Sequence, residues 1–370
     1  MRSLITLMFL LVVSSSARVG SAAEPASPAV DVQAKRQQLV DRGIKYLLEK
    51  GQAADGSFSA KTGAGVTALC TTAMLRNGLK TTDPGVAKAL KYLELQIRDD
   101  GGIYSKDSAV MNYETALAIV CFKEANEGGK YDKTIAAADK FLKKIQWDES
   151  ENHDKSSVNY GGAGYGKKNR PDLSNTSFLM EALVAAGNGP DDEAVRKALI
   201  FVSRCQNLAS PENTTADAAK VNDGGFYYTV ANEGESFAGE TPDGGLRSYG
   251  SMTYAGLKSM IYAGLKPNDP RVKAATAWLR KHYDLKANPG LGDMGLYYYY
   301  HTMAKALSVL GEDKFVDDKG VAHDWRAELV AELGSRQQAD GSWVNTNARW
   351  LETDANLVTG YVLLVLSYCK

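Results

Sequence analysis

Side chains able to move a proton or hold a ligand gather just ahead of one recurring threonine. The residues immediately before it are Val66, Glu114, Asn175, Met252, His301 and Val358, and one place earlier stand Gly65, Tyr113, Ser174, Ser251, Tyr300 and Leu357. Glu114 offers a carboxylate, and Asp172 in Asp172-Leu173-Ser174-Asn175-Thr176 offers a second. A carboxyl group becomes a general acid or base when its surroundings tune its pKa. His301 in Tyr300-His301-Thr302 adds a titratable imidazole. These three are the catalytic candidates. Ser174, Asn175, Asp243, Tyr113, Tyr254 and Tyr300 are the ligand-binding candidates, because aromatic walls with a few polar groups suit a small molecule. The competing expectation is structural, since polar residues at helix starts also act as caps and aromatics also fill cores.

These residues must be positioned by a repeated pair of helices. An amphipathic helix ends near a Gln, as at Gln52, Gln96, Gln146, Gln206 and Gln337. A Gly-rich turn follows, such as Asp55-Gly56-Ser57-Phe58, Asp223-Gly224-Gly225-Phe226 or Asp340-Gly341-Ser342-Trp343. A second helix then starts around Thr67, Thr115, Thr176, Thr253, Thr302 or Thr359. The second helices are apolar on all sides, which marks them as buried, and the first carry charge on one face. Asp83-Pro84, Asp191 or Asp192, and Asn268-Asp269-Pro270 supply helix starts, with a capping side chain and, in two cases, Pro in the first turn. Repetition at this period makes a solenoid or a closed ring. Six pairs with buried second helices are satisfied most simply by closure, so the expected class is all-α, an (α/α)6 toroid or barrel of six helix-pair repeats. In a ring the inner-helix starts share one mouth. Glu114 is therefore expected near Asp172–Asn175, and Asp243 near His301.

Composition limits the partners. The chain has 370 residues, with 43 Lys and Arg against 44 Asp and Glu. A net charge near zero excludes a general electrostatic nucleic-acid binder. Past the N-terminus no apolar run approaches the ~20 residues of a membrane helix. Met1-Arg2-Ser3, the apolar stretch Leu4–Val13 and Ser21-Ala22-Ala23 read as a secretory signal peptide cut after Ala23. The expected division is a signal peptide at 1–23, a tether at 24–33 and the toroid domain at 34–370, exported to a periplasm or secreted and monomeric. Cys70, Cys121, Cys205 and Cys369 match neither metal-binding pairs nor a disulfide framework and are expected as buried thiols. The stretch from Asn207 to Tyr249 is too long for a simple turn and is expected to be either a lid or an inert insertion.

The repeated Lys/Arg-Gly/Ala-aromatic-Leu, Gln and Gly-x-aromatic pattern resembles the prenyltransferase and squalene oxidase repeat of squalene–hopene cyclases and protein prenyltransferase β-subunits. The resemblance covers nearly all of residues 34–370. It implies the α/α toroid of the terpenoid cyclase and protein prenyltransferase superfamily, with an isoprenoid or other apolar ligand in a central cavity. It also implies two catalytic sets, and both are incomplete here. The cyclases carry Asp-x-Asp-Asp-Thr, and Ser174 and Asn175 stand at its two later acidic positions. The prenyltransferases bind zinc through Asp-x-Cys and a His; here Asp243 and His301 match, but Gly245 replaces the Cys. No metal and no cofactor is therefore expected. Three readings stay open: an isoprenoid-binding repeat protein, a carbohydrate-active toroid using Glu114 and Asp172 as a carboxylate pair, and a binding module without chemistry.

Overall fold

The computed structural model describes residues 28–166 and 170–370, so the signal-peptide reading of 1–23 lies outside the described residues. The outer helices are α1 (Pro28–Tyr46), α3 (Pro84–Glu94), α5 (Asp132–Ile145), α7 (Glu193–Arg204), α10 (Pro270–Lys281) and α12 (Trp325–Arg336). The inner helices are α2 (Gly65–Arg76), α4 (Met111–Glu124), α6 (Leu173–Ala185), α9 (Gly250–Tyr262), α11 (Leu296–Leu310) and α13 (Ala355–Tyr368), and α8 (Ala218–Val221) is a short extra turn. Each inner helix packs on the next in sequence, α13 packs back on α2, and α12 packs on α1, which closes both rings. A hairpin of β1 (Phe315–Val316) and β2 (Ala322–His323) joins α11 to α12. The helix α1 starts at Pro28, so part of the expected tether at 24–33 is helical.

The two helix types follow from their sequences. In α5 the buried residues are Ile135, Ala138, Phe141, Leu142 and Ile145, one stripe at helical spacing. In α2 every residue from Gly65 to Met74 is buried, as a helix enclosed on all sides requires. Asp192 caps α7 through the backbone N–H groups of Ala194 and Val195, and Asp269 caps α10 through that of Arg271. Asp83 departs from the expected cap: its carboxylate accepts the Lys80 N–H instead, leaving Pro84 to start α3. All four cysteines are buried free thiols.

The repeat residues stitch neighbouring pairs together. Gln146 donates to the Gly161 and Ala194 carbonyls, Gln206 to those of Gly224 and Arg271, and Gln52 to those of Gly56 and Gly85. Each Gln thus ties its own turn to the next outer helix. Gln337 donates to Gly341 and to Leu39 in α1 at 3.0 and 3.1 Å, so the same device closes the ring. Gln96 is the exception: its amide donates back to the Tyr92 carbonyl and its oxygen accepts from Arg98. Gly161 and Gly341 have φ of 83° and 94°, and a Cβ there would run into the backbone carbonyls of Lys197 and Arg42. Only glycine allows both that conformation and that approach.

Candidate functional site

The recurring threonine anchors the start of each inner helix. The Thr67 hydroxyl accepts the Phe58 N–H at 2.9 Å, and Thr115, Thr176, Thr253 and Thr359 do the same for Ile103, Ala163, Phe226 and Trp343. Thr302 departs from the pattern and donates to Tyr298 and Tyr299 within its own helix. Five of the six turns are thus pinned to an inner-helix threonine nine to twenty-seven residues on along the chain.

Those first turns surround a cavity of about 330 Å³. Val66, Tyr113, Glu114, Ser174, Met252, Tyr298 and Tyr361 reach it from the six inner helices. Tyr165, Tyr228, Phe237, Tyr249, Trp350 and Leu351 close it from the connecting loops. Two pairs of wall hydroxyls bond one another. The Tyr113 and Tyr361 hydroxyls lie 2.8 Å apart, and those of Ser174 and Tyr298 lie 3.0 Å apart. Burial raises the pKa of all four phenols Tyr113, Tyr228, Tyr298 and Tyr361, so they present neutral O–H groups. Glu114 is buried, with one oxygen accepting the Ser105 N–H at 2.6 Å and the other the Ser108 hydroxyl at 2.7 Å. Its carboxylate therefore shapes the 105–108 loop.

The loop from Asn207 to Tyr249 takes the covering position considered above. It supplies Tyr228, Phe237 and Tyr249 to the wall and is tied down by Asn207, which donates to the Leu246 carbonyl and the Ser248 hydroxyl. Opposite it, Trp350 and Leu351 have φ of 55° and 63°, a region non-glycine residues rarely occupy. Trp350 meets Phe237 edge-on at 5.2 Å between ring centres. Glu352 holds the far end of this strap, accepting the Tyr298 N–H and the Asn345 side-chain amide.

The sequence candidates divide between the cavity and the core. Tyr113, Glu114 and Ser174 line the cavity. Asp172 lies one layer behind, capping α6 by accepting the Asn175 backbone N–H at 2.8 Å and its side-chain amide at 2.9 Å. The cavity-wall phenol Tyr228 approaches it. Burial outweighs these bonds and pushes the Asp172 carboxyl up to about 6. Asn175 also receives a hydrogen bond from Asn112 of α4 at 3.2 Å, so repeats two and three do meet here. Tyr254 and Tyr300 are corrections: Tyr254 packs on Tyr299 in the core, and Tyr300 donates to the Leu285 carbonyl. They sit on faces of α9 and α11 turned from the axis. The expected meeting of Asp243 and His301 does not occur. Asp243 is in a surface turn, bonded to Thr241. His301 is buried inside the ring, stacked on Tyr361 at 5.3 Å, with its Nδ1 unpartnered. Burial, then the charges of Lys258 and Arg76, hold its imidazole down to about 3.

A zinc ion does not fit these residues. With Asp243 at the surface, His301 in the interior and Gly245 in place of a thiolate, no three ligands converge. No group of three or more His, Cys, Asp or Glu side chains suited to a metal occurs among the described residues. The carboxylate-pair arrangement is also not built, because Asp172 is a buried cap and Glu114 is committed to its loop. Sequence reasoning left Tyr165, Phe237, Trp350 and Leu351 unassigned. They sit in irregular segments outside the helix pairs, and their only signal is aromatic or apolar character beside a Gly-rich or polar loop.

Residues 60–230 match the family model of the squalene-hopene cyclase C-terminal domain. A tyrosine-to-phenylalanine variant of the type II terpene cyclase MstE from Scytonema, in its apo form, aligns at a TM-score of 0.54 and 12% identity, over 92% of this chain and 98% of that one. The chain shares the α/α-toroid fold of this terpene cyclase. A protein from Actinoplanes is similar to this toroid at a TM-score of 0.53 and 16% identity, over 90% and 99% of the two chains. Candida albicans protein geranylgeranyltransferase-I complexed with GGPP aligns at 0.48 and 14%, over 90% and 89%. No curated protein matches the toroid by sequence. At these identities the structural likeness concerns the fold.

Proposed function

We propose that the toroid binds an isoprenoid-like apolar small molecule in the cavity at its inner-helix N-termini. The observation that carries this reading is the wall itself: eight aromatic residues line about 330 Å³, and the hydroxyls of Tyr113, Tyr298 and Tyr361 are bonded within the wall. A cavity that satisfies its own hydroxyls favours an apolar body over a sugar, whose many hydroxyls would go unpaired. The squalene-hopene cyclase match over 60–230 supports the isoprenoid class. At about 30 Å³ per water-sized group, the space holds roughly ten heavy atoms, the scale of a short isoprenoid chain. The proposal is of binding: Ser174 and Asn175 replace the acids of the cyclase pattern, and the carboxylate in the wall is bonded to its own loop. Export through residues 1–23 and a monomeric mature chain starting near Glu24 are part of the same proposal. Native mass spectrometry of the protein from its own host tests it. An apolar adduct on a monomer with Glu24 at its N-terminus is expected; a co-purified sugar would refute the isoprenoid reading.

A further inference from the structure

The cavity mouth carries an arginine that the fold itself does not pair. Arg349 lies on the strap and is exposed. Its guanidinium sits 5.1 Å from the Phe237 ring centre and 5.2 Å from that of Trp350, and both rings line the cavity. It is also near enough to the wall phenol Tyr165 to lower that group's pKa against the opposing effect of burial. Among the described residues its guanidinium makes no ion pair and no hydrogen bond. The neighbouring mouth arginine, Arg170, differs: it lies over Tyr228 at 5.8 Å and is paired with Glu235. The carboxylates nearby are spent, Glu235 on Arg170, Glu114 on Ser105 and Ser108, and Glu352 on Tyr298 and Asn345.

A second observation points the same way. Six inner helices of twelve to fifteen residues direct their N-termini at this mouth. The positive ends of their dipoles favour an anion there. An aromatic cavity below and an unpaired cation above suit an amphiphile. Among the described residues one unpaired guanidinium lies there; it matches one carboxylate in two parallel hydrogen bonds, whereas a diphosphate would need several cations.

We propose that the ligand is an amphipathic carboxylate, with its apolar chain in the cavity and its head held by Arg349. This rests on the apolar-cavity reading above and adds the head group. Of a fifteen-carbon chain, roughly ten carbons fill the cavity and about five extend to the mouth, carrying the head group to Arg349.

Calorimetric titration at pH 7.5 with farnesol, farnesoate and farnesyl diphosphate tests it on the wild-type chain, R349Q and R349K, each checked for an unchanged melting temperature. Farnesoate is expected to bind roughly fivefold tighter than farnesol, the scale of an exposed ion pair. R349Q should remove that preference and leave farnesol affinity unchanged, R349K should keep part of it, and added salt should weaken it. Equal affinities of the wild type for farnesol and farnesoate, an equal loss of both in R349Q, or a diphosphate preferred to the carboxylate would overturn the head-group inference while leaving the cavity reading intact. Failure of farnesol and farnesoate alike would overturn both. Should R349Q melt early, R349K decides: a preference lost although the charge and the fold are kept counts against a simple ion pair.

Discussion

Replacing Asp172 by Asn tests whether this carboxyl group is buried at a cost. Its pKa rises from 3.8 to about 6 because burial disfavours the charged form. A carboxyl whose folded pKa exceeds its unfolded value holds more protons in the folded state between the two. Stability from this group is therefore full below about pH 4 and is lost as pH rises through about 6. The shift of about two units corresponds to roughly 3 kcal/mol lost at pH 7.5, against about 1 kcal/mol at pH 4.5. Asn cannot ionise and is itself a good N-cap, so its carbonyl can still accept the Asn175 N–H, with the Asn175 amide turning to suit. The melting temperatures of wild type and D172N, measured by calorimetry from pH 4.5 to 7.5, should separate. The variant should gain about 2 kcal/mol on the wild type across that range, or about 3 °C for a domain of this size. A difference constant with pH would refute the reasoning and place the Asp172 pKa near its ordinary value. A variant that loses ground as pH rises would show that ionised Asp172 is stabilised in place.

The interior ion cluster offers a contrasting test. Glu181 bonds both Lys258, at 3.0 Å, and Lys305, and all three side chains are buried. E181Q should cost about 3–5 kcal/mol in chemical denaturation, while the triple variant E181L/K258M/K305M should recover most of it, since an apolar replacement removes the stranded charges. Trp343 is fully buried and donates to the Leu333 carbonyl at 2.8 Å, so W343A should lower stability by about 3–5 kcal/mol with circular dichroism still helical. Incubation with squalene should yield no cyclised triterpene by mass spectrometry, because Ser174 bonds Tyr298 and Asn175 bonds Asp172 where a strong acid would be needed.

The ring was legible because each of its devices is local and repeated. Inner helices read as apolar all round, outer helices as striped, and the Gln, Gly and Thr recur in a fixed order in five of the six repeats. Even the exceptions are marked in the chain, as at Thr302, where four consecutive tyrosines precede His301 and the hydroxyl turns to its own helix. Glu114, Ser174 and Tyr113 could be assigned to the mouth because register along one helix fixes which turn a residue occupies. Register does not fix which face that residue shows. Tyr254 and Tyr300 turn away into the core, and His301 is buried against Tyr361 rather than lining the cavity.

The sequence alone determined the fold class, the six pairs and the end of the ring at which a cavity opens, since these depend on periodicity and on residues close together in the chain. Tertiary structure decided what the cavity is made of. Tyr165, Phe237 and Trp350 come from three separate loops with no periodicity to orient them, and only closure of the ring brings them over one another. It also decided the state of the charged groups. Asp172 and Glu114 are both carboxylates at inner-helix starts, yet burial behind Tyr228 raises the pKa of the first and two loop donors occupy the oxygens of the second. The pKa and availability of a carboxyl depend on desolvation and on partners remote in sequence, which no local pattern records.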